Sequence, residues 1–221
     1  MKIYLLNETP FEGVENLILS RVKFYDFSVD LSRFDALICT SKNALKALEN
    51  AKIPLHFDGV LYAVGQKTAQ AARRLGFSRV RVPSRAYAAA LFEEFRTEFK
   101  GRNCLYLRGK DVAWDLSAAL REAGVALCEM VVYESEFIGS ALRPERPGIF
   151  IFTSPLGVEN FLRSFSFCAG DLCVALGQST AEKLPRENLF LPPESSLASC
   201  VALAKRLRDL KCDSKDRGGE I

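Results

Sequence analysis

Short, almost wholly apolar segments alternate along this chain with longer amphipathic ones. The apolar segments have the length and composition of buried β-strands, and strands are predicted at 2–6, 22–27, 35–40, 60–64, 79–82, 103–108, 125–133, 149–153, 172–176 and 188–191. Helical periodicity predicts helices at 42–51, 66–75, 87–99, 112–123 and 196–210. Strands that lack a polar face suit parallel sheets covered by helices on both sides. The pattern therefore predicts an α/β fold with parallel sheets flanked by helices.

The same series of features occurs in both halves of the chain. In each half an apolar strand ends in Thr-Ser and leads straight into a predicted helix; these pairs are Thr40-Ser41 and Thr153-Ser154. A Gly-Gln-x-Thr-Ala sequence begins 25 residues after Thr40 and 24 residues after Thr153. A proline-containing element follows in both halves. Order, content and spacing agree, which indicates two copies of one α/β unit rather than a short solenoid repeat.

The copies also begin alike, with the segments KIYLLNE and CLYLRGK. Each is predicted to lead through an amphipathic helix to a further strand, so the copies span about 1–100 and about 103–211. Two similar lobes with a ligand cleft between them are expected. The polar end of the chain, 212–221, is predicted to be a disordered tail.

Hydroxyl, glycine and glutamine residues open the helices that follow the repeated strands. A Ser or Thr at a helix start can cap free backbone N–H groups, and the same N–H groups can bind an anion with help from the helix dipole. Capping alone explains one such pair, whereas repetition at equivalent places favours a binding site for a ligand with several carboxylates. The candidate ligand-binding residues in these motifs are Thr40, Ser41, Gly65, Gln66, Thr68, Ser154, Gly177, Gln178 and Thr180.

The overall composition narrows the class of function. Thirty Lys and Arg against twenty-seven Asp and Glu give a net charge of +3, too small to indicate nucleic-acid binding. No apolar run reaches the roughly 18 residues of a membrane span. Seven cysteines lie mostly in apolar runs without a C-x-x-C pair, so free thiols and no metal site are expected. The start of the chain lacks a signal-peptide pattern, and a cytoplasmic protein is therefore expected.

The sequence lacks the motifs of the common catalytic machineries, including G-x-S-x-G and H-E-x-x-H. The one histidine, His56, lies in a predicted loop and is expected at the surface. Arg108 ends an apolar strand, where it is either a carboxylate clamp or an ordinary ion-pairing residue. Tyr133 ends the run MVVY, where its position alone favours a core or hinge residue over an acid.

Six segments together resemble uroporphyrinogen-III synthase over nearly the whole chain up to the tail; they are ICTSKNALKAL, YAVGQKTAQAARRLGF, CLYLRGKD, VVYES, FTSPLGVENFL and VALGQSTAEKL. Their order and spacing carry the resemblance. It implies two α/β lobes joined by two antiparallel linker strands, near 26–34 and 130–138. It also implies that one lobe contains 1–31 and 138–221, and the other 32–137.

In this family the substrate is hydroxymethylbilane, a linear tetrapyrrole with acetate and propionate side chains. The product is the cyclic uroporphyrinogen III, in which the last pyrrole ring is inverted. The resemblance implies a cyclising lyase of haem biosynthesis that needs no metal or organic cofactor. Because electron-rich pyrroles drive the closure, the protein mainly folds the substrate and helps the terminal hydroxyl to leave. A catalytic triad is therefore not required.

The resemblance also implies roles for single residues. Tyr133 matches the tyrosine of the family's linker, the best candidate for donating a proton or hydrogen bond to the departing hydroxyl. The helix-opening residues, together with Lys42 and Arg108, match positions that hold the carboxylates. Leu6-Asn7 departs from the family, since many members have an arginine at the end of the first strand. Arg108 provides the equivalent arginine in the second copy, so the expected carboxylate contact is kept in that copy only.

Two other functions fit parts of the sequence. Duplicated lobes also describe a binding protein that closes on an anionic small molecule without chemistry. An enzyme acting on sugar phosphates or nucleotides would need an acid/base pair or a metal-binding carboxylate set, which the sequence lacks. For the synthase, the expected partners are the polycarboxylate tetrapyrrole and, transiently, the upstream deaminase. A monomer is expected, since the duplication already supplies two lobes.

Overall fold

The chain forms two compact units, each built on its own sheet. A computed structural model describes residues 1–112 and 114–216, with side chains described as far as residue 211. The terminal unit contains Met1–Arg21 and the chain from Phe137 onwards, and the central unit contains Val22–Glu136. The lobe limits 1–31 with 138–221 and 32–137 stay a prediction; the observed contacts divide the chain at Arg21 rather than near 31.

The predicted strands are confirmed, with ends that differ by a few residues. The strands are β1 (Ile3–Leu5), β2 (Glu15–Asn16), β3 (Ser20–Phe24), β4 (Ala36–Cys39), β5 (Val60–Ala63), β6 (Val80–Arg81), β7 (Asn103–Gly109), β8 (Ala126–Phe137), β9 (Ile149–Phe152), β10 (Leu172–Ala175) and β11 (Leu189–Phe190). The helices are α1 (Lys42–Asn50), α2 (Gln66–Arg74), α3 (Ala88–Phe95), α4 (Leu116–Glu122), α5 (Pro155–Ser164), α6 (Gln178–Ala181) and α7 (Leu197–Asp216). Strands β4, β9 and β10 are buried along their whole length, as expected for strands covered on both faces.

The two sheets share one arrangement. In the terminal unit the strand order is β11-β10-β9-β1-β2, and in the central unit it is β3-β8-β7-β4-β5-β6. Strand β1, from the first sequence copy, pairs in parallel with β9 from the second. Strand β7, which begins the second copy, pairs in parallel with β4 from the first. The two copies therefore exchange their first strands, and this is why the contiguous repeats are not the compact units.

Both faces of the central sheet are covered. On one face, here called the α1/α2 face, Leu37, Leu105 and Leu107 pack with residues of α1 and α2. On the other, the α3/α4 face, Ile38 and Tyr106 pack with residues of α3 and α4. Within the described part of the chain, no helix combines the length and the apolar character of a membrane span.

Three expectations differ from the structure. The predicted helix between β1 and β3 is not formed, because Pro10, the left-handed Gly13 and the short strand β2 occupy that stretch. Residues 26–34 hold a 3₁₀ turn, Leu31–Arg33, in place of the predicted linker strand, since the Asp30 carboxylate caps the Ser32 N–H group. The strand that lies beside β8 in the central sheet is β3, which ends at Phe24, before this stretch. Helix α7 takes in the first five residues of the predicted tail 212–221, and the rest lies outside the described residues.

Candidate active site

The carboxyl ends of β4, β5, β7 and β8 meet at one edge of the central sheet, because these strands are parallel neighbours. A cavity of about 510 Å³ opens at this edge, the usual position of a ligand site in such sheets. Four hydroxyl side chains line it: Thr40 and Ser41 directly after β4, Tyr106 within β7 and Tyr133 within β8. The lining also includes three large side chains that are about two-fifths exposed, Tyr87, Val112 and Trp114.

Tyr133 reaches this cavity through an irregularity in the pairing of β7 and β8. Arg108 pairs with Val131, whereas the next residue, Gly109, pairs with Tyr133, so Val132 is an extra residue. Val132 and Tyr133 both pack against the hydrophobic cluster of the α1/α2 face. Consecutive side chains of a regular strand point to opposite faces, so a β-bulge is required to bring both to one side. The bulge therefore sets the direction of the tyrosine.

Gly109 leaves the space that the ring of Tyr133 occupies. A Cβ atom at position 109 would lie 2.8 Å from both Cε2 and Cζ of Tyr133, and 3.0 Å from its hydroxyl oxygen. Real Cβ atoms do not approach carbon atoms this closely. Any side chain at this position would consequently move the tyrosine hydroxyl.

The environment of Tyr133 keeps its phenol protonated. Burial raises the pKa of the hydroxyl above its ordinary value, and hydrogen bonding with the Ser41 side chain and the Gly109 backbone offsets only part of that rise. Tyr133 is thus a neutral hydrogen-bond donor at physiological pH. A phenol in this state can donate to an oxygen that gains negative charge.

Thr40 and Ser41 connect β4 to α1 at the cavity. Ser41 is the N-cap of α1, and its Oγ accepts a hydrogen bond from the Asn43 N–H at 3.2 Å. The Thr40 hydroxyl lies 3.3 Å from the hydroxyl of Tyr106. Lys42, the first residue of α1, is exposed. The sequence prediction that these residues open a helix at a sheet edge is confirmed; their contact with a ligand stays a prediction.

The Gly-Gln-x-Thr motif of the central unit opens α2 at the same edge. Gly65 is the N-cap and provides no side-chain hydrogen bond, so the N–H groups of the first turn have no cap from it. Gln66 is exposed. Thr68, in contrast, is only 5% exposed. A ligand can therefore meet the backbone and Gln66 more readily than the Thr68 hydroxyl.

Equivalent residues occur in the terminal unit. The Ser154 Oγ accepts a hydrogen bond from the Gly157 N–H at 3.1 Å and caps α5. Gly177 is the N-cap of the four-residue helix α6, where Gln178 is exposed. Thr180 is 3% exposed and repeats the buried position of Thr68. The match between the two copies thus extends to the burial of single side chains.

The guanidinium of Arg108 is bound by neighbouring groups of the central unit. Its Nε donates to the Glu129 carboxylate, and its Nη1 donates to the carbonyl oxygens of Gly109 at 2.8 Å and Lys110 at 2.9 Å. Burial alone would raise the pKa of Glu129, but hydrogen bonds from Arg108, Ser117 and Arg121 together lower it. This arrangement is the ion-pairing alternative of the sequence analysis. A ligand carboxylate would have to displace these partners to reach the guanidinium.

Among the side chains of residues 1–112 and 114–211, no set of three or more His, Cys, Asp or Glu is grouped in a way suited to a metal ion.

Comparison with known families identifies this arrangement. The family model described as "Uroporphyrinogen-III synthase HemD" matches residues 21–202, most of the chain. The chain belongs to the uroporphyrinogen-III synthase family. The sequence resemblance and the enzyme class that it implied, a cyclising lyase, are confirmed.

Solved structures support the same family. The chain is similar to uroporphyrinogen-III synthetase from Helicobacter pylori 26695, at 27% identity and a TM-score of 0.76, covering 93% of this chain and 99% of that one. A mutant uroporphyrinogen III synthase from the extremely thermophilic bacterium Thermus thermophilus is 14% identical with a TM-score of 0.59, covering 92% and 97%; at that identity it shows the fold alone. A comparison with curated protein sequences finds no match.

Sequence reasoning about this synthase family member missed Tyr106 and the exposed aromatic residues of the cavity. In the sequence, Tyr106 is one apolar position of the strand CLYL. Tyr87 lies in the proline-containing repeated element, for which no ligand contact is predicted, and Trp114 lies in a segment without a recognisable motif. The alternation along β7 could have placed Tyr106 on the same face as Ile38 and Thr40, given the pairing of Ile38 with Tyr106. That pairing joins strands far apart in the chain, so it cannot be seen in the sequence alone.

Replacing Gly109 by alanine is expected to lower turnover by about tenfold or more, because the new methyl group would displace the Tyr133 hydroxyl from its position. The contact is with the end of a side chain, so we expect the fold to be retained. Circular dichroism and steady-state rates of the purified variant measure the two effects.

Gly59→Ala is the contrasting variant. A Cβ atom at Gly59 would lie 2.3 Å from the carbonyl oxygen of Asp35, which is backbone. This variant is expected to lose stability by about 1–3 kcal/mol, since the backbone must shift.

Turnover of Gly109→Ala equal to that of the wild type would contradict the positioning role of Gly109.

Proposed function

We propose that this chain converts hydroxymethylbilane into uroporphyrinogen III, with loss of water and inversion of the last pyrrole ring. Membership of the synthase family across residues 21–202 is the observation that carries the proposal. The hydroxyl-lined cavity at the carboxyl edge of the central sheet is the proposed location of the chemistry.

Tyr133 is the proposed catalytic residue. Its neutral phenol donates a hydrogen bond or proton to the terminal hydroxyl of the substrate, which leaves as water and produces an azafulvene cation. The substituted carbon of the last ring attacks the cation and forms a spiro intermediate. The bond from that carbon to its original methylene bridge then breaks, and the ring recloses through its unsubstituted carbon, so that it is inverted. Loss of a proton then restores the pyrrole. The bond-breaking step is the one that a fixed donor accelerates.

The carboxylates of the substrate are the proposed ligands of the helix starts. In the central unit these are Thr40, Ser41, Lys42, Gly65 and Gln66, and in the terminal unit Ser154, Gly177 and Gln178. Thr68 is buried, so its contribution would be through its backbone N–H group. Thr180 is also buried, and its N–H group already donates to the Gly177 carbonyl oxygen at 3.1 Å, so a carboxylate would have to displace that bond. Arg108 would contribute through its charge, or directly if a ligand displaces its present partners.

We also propose a monomeric, cytoplasmic enzyme that needs no metal or organic cofactor and receives its substrate by transient contact with the upstream deaminase. Free hydroxymethylbilane closes without assistance to the type I isomer. A short transfer between the two enzymes would limit this loss.

The test uses the isomers of the product. Hydroxymethylbilane is generated by its deaminase, the protein is added, the products are oxidised and the porphyrin isomers are separated. The type III isomer is expected with native protein and the type I isomer with heat-denatured protein. Type I alone in both samples would overturn the proposal, and binding of the substrate under those conditions would favour the two-lobed binding module.

A further inference from the structure

Three tyrosines of this chain are almost fully buried, and two of them have their hydroxyls fixed by strong partners. The Tyr4 hydroxyl accepts a hydrogen bond from the Glu145 N–H at 2.7 Å. The Tyr62 hydroxyl donates to Glu98 at 2.8 Å and accepts from Arg102 at 3.1 Å. In both cases the hydroxyl joins distant segments of one unit, which is a structural use of a buried phenol.

Tyr106 differs from these two. Its ring lies in the hydrophobic cluster of the α3/α4 face and is 1% exposed, yet the residue lines the cavity that holds Tyr133. The partner described for its hydroxyl is Thr40, at 3.3 Å, another hydroxyl of the same cavity. This contact is longer than an ordinary O–H···O hydrogen bond. Among the residues that the structure describes, the hydroxyl therefore makes a single weak contact.

Packing alone does not explain why residue 106 carries a hydroxyl group. Phenylalanine would fill the apolar space around the ring and would avoid the cost of burying a weakly paired polar group. The hydroxyls of Tyr106 and Thr40 each keep donor or acceptor capacity beyond their mutual contact. Two neighbouring hydroxyls can donate one hydrogen bond to each oxygen of a carboxylate. Burial raises the pKa of Tyr106, so it remains a donor at physiological pH.

We propose that Tyr106, paired with Thr40, is a substrate-binding residue that holds one carboxylate of the linear tetrapyrrole in the Tyr133 cavity. The inference rests on the proposed function and adds a residue to it. Tyr106 lies on the α3/α4 face and Tyr133 on the α1/α2 face, so the two phenols approach the cavity from opposite sides of β7. The first fixes the position of the substrate, and the second acts on the bond that breaks.

Tyr106→Phe tests this role, with Tyr62→Phe as the matched control. Loss of one hydrogen bond to a charged group is expected to raise KM about tenfold or more, with kcat changed less than about twofold. Tyr62→Phe removes a buried hydroxyl that does not line the cavity, so it is expected to lower the melting temperature and leave KM unchanged. Thr40→Val, which removes the partner hydroxyl, should also raise KM.

Binding can be measured without catalysis. The chain contains one tryptophan, Trp114, and it lines the same cavity, so quenching of its fluorescence by uroporphyrin III reports binding of a polycarboxylate tetrapyrrole. Kd for Tyr106→Phe is expected to rise by the same factor as KM. An unchanged Kd and KM, with only the melting temperature altered, would overturn the inference. If the wild type forms no type III isomer, the proposed function fails, and the Kd comparison still decides the role of Tyr106.

Discussion

Tyr133→Phe is expected to reduce the turnover of type III isomer by about 100-fold or more, while the circular dichroism spectrum stays that of the wild type. Phenylalanine preserves the ring that packs beside Val132 on the α1/α2 face, so the bulge and the cavity should survive. What is lost is the hydroxyl that contacts Ser41 and the Gly109 backbone. The terminal hydroxyl of the substrate would then have to leave without a fixed donor.

Tyr25→Phe is the matched control for this experiment. Tyr25 also lies in the central unit, and its N–H donates to the carbonyl of Val132 on β8. Its hydroxyl interacts with the Glu134 carboxylate and does not line the cavity. We expect wild-type turnover for this variant. A Tyr133→Phe enzyme as fast as Tyr25→Phe would remove Tyr133 from the mechanism.

Asp171→Asn is expected to destabilise the terminal unit by about 3 kcal/mol, because it leaves a largely buried guanidinium, 19% exposed, without its counter-charge. The Asp171 side chain is 2% exposed, and its Oδ2 lies 2.6 Å from Nη2 of Arg146. It also accepts hydrogen bonds from the N–H groups of Gly148 at 2.9 Å and Cys168 at 2.7 Å. The amide keeps an acceptor for one of these groups and loses the charge that balances Arg146.

Among the described side chains, those of 1–112 and 114–211, Asp171 is the one counter-charge that contacts Arg146. Its guanidinium stacks over the ring of Phe150 at 4.8 Å and lies 5.6 Å from that of Phe161. Its Nη2 also donates to the carbonyl of Ser166 and to the Cys168 sulfur. These contacts favour a cation but cannot neutralise it, so the free energy of unfolding should fall steeply when Asp171 becomes neutral.

Glu159→Gln is the comparison for Asp171→Asn within the same unit. Glu159 pairs with Lys183 at 3.4 Å, and both side chains are more than half exposed. An exposed pair of this kind contributes about 0–1 kcal/mol. Urea unfolding of both variants measures the difference. A loss below about 1 kcal/mol for Asp171→Asn would contradict the dependence of Arg146 on Asp171 as its counter-charge.

The strands and the helix starts could be predicted from the sequence because local chemistry determines them. The run ALIC of β4 is apolar at every position, and it is fully buried in the parallel sheet. Ser41 and Ser154 cap helices through contacts with residues two or three positions away. The helix predicted between β1 and β3 failed because Pro10 and Gly13 interrupt the periodicity. Such local breaks are visible in the sequence and outweigh a weak amphipathic pattern.

The site could be predicted only in part, since half of its features depend on how strands pair. The bulge that directs Tyr133 follows from the register of β8 against β7, and the space at Gly109 has meaning only after that register is known. The contact between Tyr106 and Thr40 joins residues 66 positions apart. Thr68 illustrates the converse, because its motif is evident in the sequence while its burial is not.

The isomer composition of the product at increasing protein concentration tests the central claim most directly. Unassisted closure to type I and enzymatic closure to type III compete for the same hydroxymethylbilane. For a synthase, the type III fraction rises with the concentration of native protein until type III is the main product. A type I product at every concentration, from protein whose circular dichroism spectrum shows a folded α/β chain, would contradict that claim.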